Sequence, residues 1–204
     1  MNVLLLGGSP SAPSTTWRLL QLVGERLAAQ GHRTVALQVR ELPALALLRG
    51  DVTDPAIAVA TAMVAEADAV VVGTPVYKAA YSGVLKVFLD LLPQDGLAGK
   101  LVLPLATGGS QSHMLALDYA LRPVLASLAP RHILPSIYAT SEQLPWRPEH
   151  GLVPAAPIAA RIDDGIEQLI HALHTLPRKP LETPLETPLE TPLETPLAPA
   201  ALAA

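Results

Sequence analysis

Cysteine is absent from this 204-residue chain. That one absence removes disulfides, thiolate nucleophiles and thiolate-bound metals together. It also fits a reducing compartment. Aromatic residues are scarce, at 3 % of the chain, so Ala and Leu must fill the core in their place. Excess basic charge is missing too. The formal net charge is -4 and the pI about 5.8, which argues against a general nucleic-acid footprint. No uninterrupted apolar run reaches the roughly 18 residues that a membrane span needs. Only Met1 and Asn2 precede the apolar segment Val3–Leu6, where a secretory signal would place basic residues. The expectation is a cytoplasmic protein with neither nucleic acid nor membrane as a partner.

What is present is alternation. Strand-like segments at Val3–Leu6, Thr34–Val39, Ala69–Gly73, Lys100–Ala106 and His132–Ala139 are separated by helix-like ones. The helical segments are Ser14–Gln30, Pro55–Ala67 (Asp54 as N-cap), Ser82–Leu92, Gln111–Leu128 and Ile158–Leu176. Strand then helix, repeated five times, predicts a doubly wound parallel sheet with helices on both faces. The first and third strands are continuous apolar runs, as strands covered on both faces should be, whereas the second (TVALQV) is mixed and reads as an edge. Pro104 and Pro135 interrupt the fourth and fifth strands, and each removes a ladder donor. One domain over 1–176 is expected. From Pro180 the chain repeats Pro-Leu-Glu-Thr four times, so 177–204 reads as a disordered tail outside the chemistry.

Ligands of such sheets sit beyond the carboxyl ends of the strands, where strand order reverses. The second strand is followed by Arg40-Glu41-Leu42-Pro43, which offers a ligand little. The first, third and fourth are followed by richer loops, which matches a flavodoxin-like order 2-1-3-4-5. The first loop, Gly7 to Thr16, carries the hydroxyls of Ser9, Ser14, Thr15 and Thr16 at a helix start, where free N–H groups and the helix dipole favour phosphate. A plain N-cap would need one such hydroxyl; four, with two prolines, exceed that. The loop is neither a Walker loop nor a Gly-x-Gly-x-x-Gly fingerprint. The second loop, Thr74 to Tyr81, could set Tyr77 or Tyr81 against a flat heterocycle, or these could be ordinary packing tyrosines. The third, Thr107-Gly108-Gly109-Ser110, could bring bare backbone to a ligand edge, or could be a turn capped by Ser110.

Four segments carry a family resemblance: Gly7-Gly8-Ser9-Pro10; Thr74–Lys86 with Leu89–Pro93; Leu103–Gly109; and Leu117–Leu125. They resemble the NADPH-dependent FMN reductases, most closely the reductase component of two-component alkanesulfonate monooxygenase systems. The likeness runs from residue 1 to about residue 140 and is most specific over 74–125. It implies an FMN phosphate on Ser9, Ser14, Thr15 and Thr16. It places the ribityl chain and ring against Pro75, Val76, Tyr77 and Lys78 and against Thr107, Gly108, Gly109 and Ser110. NADPH or NADH would be the reductant, and an FMNH2-dependent monooxygenase the partner. Tyr119 matches a Tyr that forms a π-helical turn at a tetramer interface in similar proteins. Such proteins often carry Arg directly after Gly-Ser-Pro; here it is Ser11, and Arg18 is the nearest cation in sequence.

No side chain is expected to be catalytic, because hydride transfer is the cofactors' own chemistry. No metal site is expected: the histidines are dispersed, and His171 and His174 read as a solvated face. Apolar positions nearly all round the helices from Met114 and from Val84 imply a homo-oligomer, a dimer or tetramer. Two other readings stay open: a flavin-retaining quinone, azo or metal-oxyanion reductase on the same fold, and a flavodoxin-type electron carrier.

Overall fold

Alternate residues of a strand face opposite sides of its sheet, so a strand covered on both sides must be apolar throughout. The first strand does this in four residues. Leu4 and Leu6 enter one core with Ile57, Phe88 and Leu121, while Val3 and Leu5 enter a second with Leu19, Val23 and Ile162. The structure, a computed structural model, describes residues 1–175. The reading of 177–204 as a disordered tail falls outside the described residues.

In chain order, β1 (Asn2–Gly7), α1 (Thr15–Ala29) and β2 (Arg33–Gln38) come first, followed by a 3-10 turn at Val39–Glu41. Then come α2 (Ala44–Arg49), α3 (Pro55–Glu66), β3 (Ala69–Tyr77), β4 (Ala80–Tyr81), α4 (Gly83–Leu89) and β5 (Leu101–Gly108). The rest is α5 (Arg122–Ser127), β6 (His132–Ile133), β7 (Ile137–Thr140), β8 (Trp146–Arg147), β9 (Gly151–Leu152) and α6 (Ala156–Thr175). The parallel order is β2-β1-β3-β5, with β6 and β7 end to end along the far edge of β5. This is the flavodoxin-like order expected, with the fifth strand in two pieces. α1 and α6 pack on one face; α3, α4 and α5 pack on the other.

Both prolines have local explanations. β5 pairs with β3 without a break from Leu101 to Thr107. On its other side it pairs with β6 only at Leu101 and Val102, and with β7 only from Leu105 onward. Pro104 falls in that gap. Pro135 lies in the matching break between β6 and β7, so the fifth strand is interrupted where the sequence reading placed the interruption. Arg122 fills the break, donating from Nη1 to the Ile133 carbonyl (3.3 Å) and from Nη2 to that of Leu134 (3.0 Å).

Other elements depart from the sequence reading. The helix expected over Gln111–Leu128 is three pieces: a 3-10 turn at Gln111–His113, a π-helical turn at Leu117–Leu121, then α5. The third strand runs on past Gly73 to Tyr77 and folds back as β4 through Lys78 and Ala79, both with positive φ (49° and 61°). Two consecutive left-handed residues are what a two-residue hairpin of this type needs, and here neither is Gly. α2 and the β8–β9 hairpin were not anticipated. Where capping chemistry was explicit, the reading held: Asp54 accepts from the amides of Ala56 (2.8 Å) and Ile57 (3.3 Å).

One buried histidine should give the fold a pH dependence. His32, only 6 % exposed, lies 5.8 Å from the His174 ring, and neither of its nitrogens has a hydrogen-bond partner among the described residues. Burial first, then the chain's amino terminus and His174, hold its pKa below the ordinary value. The folded form therefore binds that proton less readily than the unfolded chain does. Stability should be full above about pH 6.5, fall as pH drops through that value, and level off below the folded pKa. Urea unfolding of wild type and His32→Phe between pH 8 and 5 checks this. The wild-type curve should lose stability on acidification more steeply than the variant; parallel curves would refute the assignment.

Candidate functional site

At the carboxyl ends of β1, β3 and β5 a cleft of about 260 Å³ opens. Its first wall is the turn from β1 into α1. Ser14 caps the helix, its Oγ accepting from the Trp17 amide at 3.2 Å. The N–H groups before Trp17 have no partner within the helix and face the cleft end of its dipole. Ser9, Ser14 and Thr16 are buried with polar atoms at this wall, and Thr15 lines it beside them. Thr16 Oγ1 also meets Thr107 Oγ1 at 2.6 Å across 91 residues of sequence, which ties the first loop to the third.

Pro75, Val76 and Tyr77, the last residues of β3, form the second wall. Tyr77 is 48 % exposed, and its hydroxyl lies 3.5 Å from Ser11 Oγ across the cleft mouth. Tyr81 does not join it. It packs on the core beneath, and burial raises its pKa. Lys78 sits at the exposed hairpin tip and does not line the cleft.

Thr107, Gly108 and Gly109 make the third wall. A Cβ on Gly109 would meet nothing within 4 Å, so the loop edge is open to a ligand, whereas Gly108 is pressed against Tyr138. Tyr138 donates to the Ser110 carbonyl at 2.6 Å, and burial raises its phenol pKa. Ser110 caps the following 3-10 turn and does not line the cleft. His113 lies in that turn and does not line it either.

The cleft thus gathers the expected Ser9, Ser14, Thr15, Thr16, Pro75, Val76, Tyr77, Thr107, Gly108 and Gly109, and leaves out Lys78 and Ser110. Ser11 and Pro13 of the first loop complete it, together with Ser141, which lies outside the loops singled out from sequence and was missed. The signal was available, because Ser141 directly follows the last strand, β7, and the same rule that singled out the other loops applies to it. None of the residues after β2 lines the cleft, as expected, but Arg40 Nη1 donates to the Ser11 carbonyl in the first loop. Arg18 instead covers Trp146, its guanidinium 4.1 Å from the ring centroid. None of the residues lining the cleft is Asp, Glu, His, Lys or Arg.

A larger cavity of about 530 Å³ lies at the sheet edge, under the π-helical turn and α6. Its walls hold Asp118, Arg122, Arg161 and Asp164, with no glycine loop and no strand switch point. The smaller cleft is the better candidate because it sits where the topology and the unpaired helix N–H groups coincide. Tyr119 lies in the π-helical turn, away from the cleft, and is 79 % exposed. Among the described residues no three His, Asp or Glu side chains come together as a metal site would need. Nor is any described helix long and apolar enough to cross a membrane.

Comparison with known proteins points to one family. The family model described as NADPH-dependent FMN reductase matches residues 1–144, which contain every cleft residue. An FMN reductase (NADPH) of Pseudomonas putida KT2440 is 44 % identical over 87 % of this chain and 91 % of its own. The apo structure of an NADH:FMN oxidoreductase, EmoB, superposes with a TM-score of 0.79 at 38 % identity, covering 86 % of this chain and 91 % of that one. A flavodoxin of Streptococcus pneumoniae TIGR4 matches at TM-score 0.57 and 14 % identity over 83 % of this chain and 97 % of its own, a likeness of fold alone.

Proposed function

The chain belongs to the NADPH-dependent FMN reductase family, and from that premise we propose that its cleft takes FMN and a reduced nicotinamide dinucleotide and supplies reduced FMN to a partner monooxygenase of sulfonate or sulfur assimilation. The observation that carries the reading is the meeting of three unlike walls in one cleft: unpaired helix N–H groups with hydroxyls, an aromatic hairpin edge, and bare glycine backbone. A phosphate, a chain of hydroxyls and a flat ring need those three surfaces in that order. Ser9, Ser14, Thr15 and Thr16 would hold the FMN phosphate. Pro75, Val76 and Tyr77 would border the ribityl chain and one ring edge, and Thr107, Gly108 and Gly109 the other.

When bound, the nicotinamide and the flavin supply the hydride chemistry themselves. What the chain contributes is orientation and field. The Thr16–Thr107 bond fixes the spacing between the phosphate wall and the ring wall. Backbone N–H groups of the 107–110 loop would offset negative charge at the ring. The lack of an acid–base pair in the cleft is consistent with a reaction that asks the protein for no proton donor.

The relatives named above differ in dinucleotide, one an NADPH and one an NADH enzyme, so both donors belong in the test. Purified full-length protein should oxidise NADPH or NADH at a rate that rises and saturates with free FMN, and should come off the column colourless. No oxidation with FMN would overturn the reading. A tightly yellow protein that reduces quinones would favour a flavin-retaining reductase. The exposed Met114, Leu115 and Tyr119 offer an apolar surface for a second copy of the chain. The proposed assembly is a cytoplasmic homotetramer or dimer. Light scattering should give a mass two or four times that of the chain; a monomer would refute this.

A further inference from the structure

A phosphate monoester carries a charge of about -1.5 to -2 at neutral pH, while a helix N-terminus supplies roughly half a positive charge. The loop from Ser9 to Thr16 holds no basic residue. Lys78 stands at the exposed hairpin tip and Arg18 is spent on Trp146. Arg40 is different. The 3-10 turn after β2 delivers it to the outside of the loop, where it donates to the carbonyl of Ser11, between Ser9 and Ser14. Its side chain is only 22 % exposed, and its one acidic neighbour, Glu41, is 3.7 Å away and largely in solvent. A guanidinium has five N–H donors, so these two contacts leave donors unused, and although Arg40 does not itself line the cleft, its charge stands behind Ser11, which does.

We propose that Arg40 is the phosphate-reading cation of this cleft. It supplies, from the β2 side, the positive charge that the loop itself lacks, and so sets the preference for a ligand bearing a phosphate monoester. This rests on the proposed reductase reading. That reading contains two such monoesters, the terminal phosphate of FMN and the 2′-phosphate of NADPH. Arg40 would hold the loop through Ser11 and act on the phosphate through its charge.

The test compares wild type, Arg40→Ala and Arg40→Lys. Flavin binding is read by fluorescence quenching with FMN and with riboflavin, and steady-state KM is read with NADPH and with NADH. Arg40→Ala should weaken the phosphorylated member of one pair by about tenfold, as loss of a neighbouring opposite charge does, and leave its unphosphorylated partner unchanged. Arg40→Lys should recover much of the loss. A narrowed FMN–riboflavin gap assigns the flavin phosphate; a narrowed NADPH–NADH gap assigns the dinucleotide. Equal weakening of all four ligands would make Arg40 a strut for the loop and overturn the proposal, as would no change in any. The flavin titration needs no turnover, so an inactive wild type would sink the reductase reading without deciding this one.

Discussion

Gly108→Ala should cost this protein most of its affinity for FMN while leaving it folded. A Cβ at position 108 would run into the hydroxyl of Tyr138, with the ring carbons Cζ and Cε2 at 3.2 and 3.4 Å behind it. That hydroxyl cannot step aside freely, because it donates to the Ser110 carbonyl and Tyr138 is a buried residue of β7. Either the ring tilts or the Thr107–Ser110 loop lifts. The loop has fewer restraints, so it should move. Overpacking of this kind costs about 1–3 kcal/mol. Converted at 1.4 kcal/mol per tenfold, the expected loss is roughly five- to 100-fold in FMN dissociation constant. Isothermal titration with FMN measures it. A second variant tests the cause. Gly108→Ala combined with Tyr138→Phe removes the clashing oxygen and should bind FMN better than Gly108→Ala alone. If the double variant binds no better, the hydroxyl is not what excludes a side chain here.

Gly8→Ala should act on stability instead. The added Cβ would stand 2.6 Å from Cβ of Leu85, a fully buried residue of α4. Position 8 is also held on both sides: its N–H donates to the Gly73 carbonyl at 2.8 Å, and its carbonyl accepts from Ser82 Oγ. Truncating residue 85 to Ala leaves its Cβ in place, so no ordinary truncation relieves the contact, and β1 and α4 must separate. Gly73 makes a useful contrast. A Cβ there would meet Cδ1 and Cγ of Leu20, atoms that a smaller residue 20 would remove. The expected cost at Gly8 is at least about 1–3 kcal/mol. For a domain of this size each kcal/mol lowers Tm by roughly 2–4 °C. Thermal unfolding should therefore show Gly8→Ala clearly less stable than wild type. Leu85→Ala should fail to rescue it, whereas Leu20→Ala should relieve the equivalent strain of Gly73→Ala. A Gly8→Ala protein that melts with wild type would refute the close approach.

Much of this molecule was legible before folding. The apolar runs of β1 and β3, the cap at Asp54 and the strand–helix alternation each depend on residues adjacent in sequence, and local chemistry decides them. So does the placing of the site, since the rule that ligands gather past strand ends needs only the order of elements. Ten of the twelve residues named as contacts, from those loops and from the family resemblance together, line the cleft.

What only the tertiary structure decided involves partners distant in sequence. Whether Lys78 faced the cleft or solvent turned on a hairpin whose two left-handed residues are not the usual glycines. Tyr77 and Tyr81 look alike in sequence, yet one borders the cleft and the other packs on the core. Pro135 broke a strand, and Arg122 from another element satisfied the carbonyls it left. Arg40, which follows an edge strand and looked idle, is brought against Ser11 because parallel pairing sets β2 beside β1. The sequence by itself determined the sheet, its two cores and the loops that meet at their end, because each follows from spacing and propensity along the chain. Which side chains those loops turn toward one another was decided by pairing and packing, because that depends on atoms no local pattern brings together.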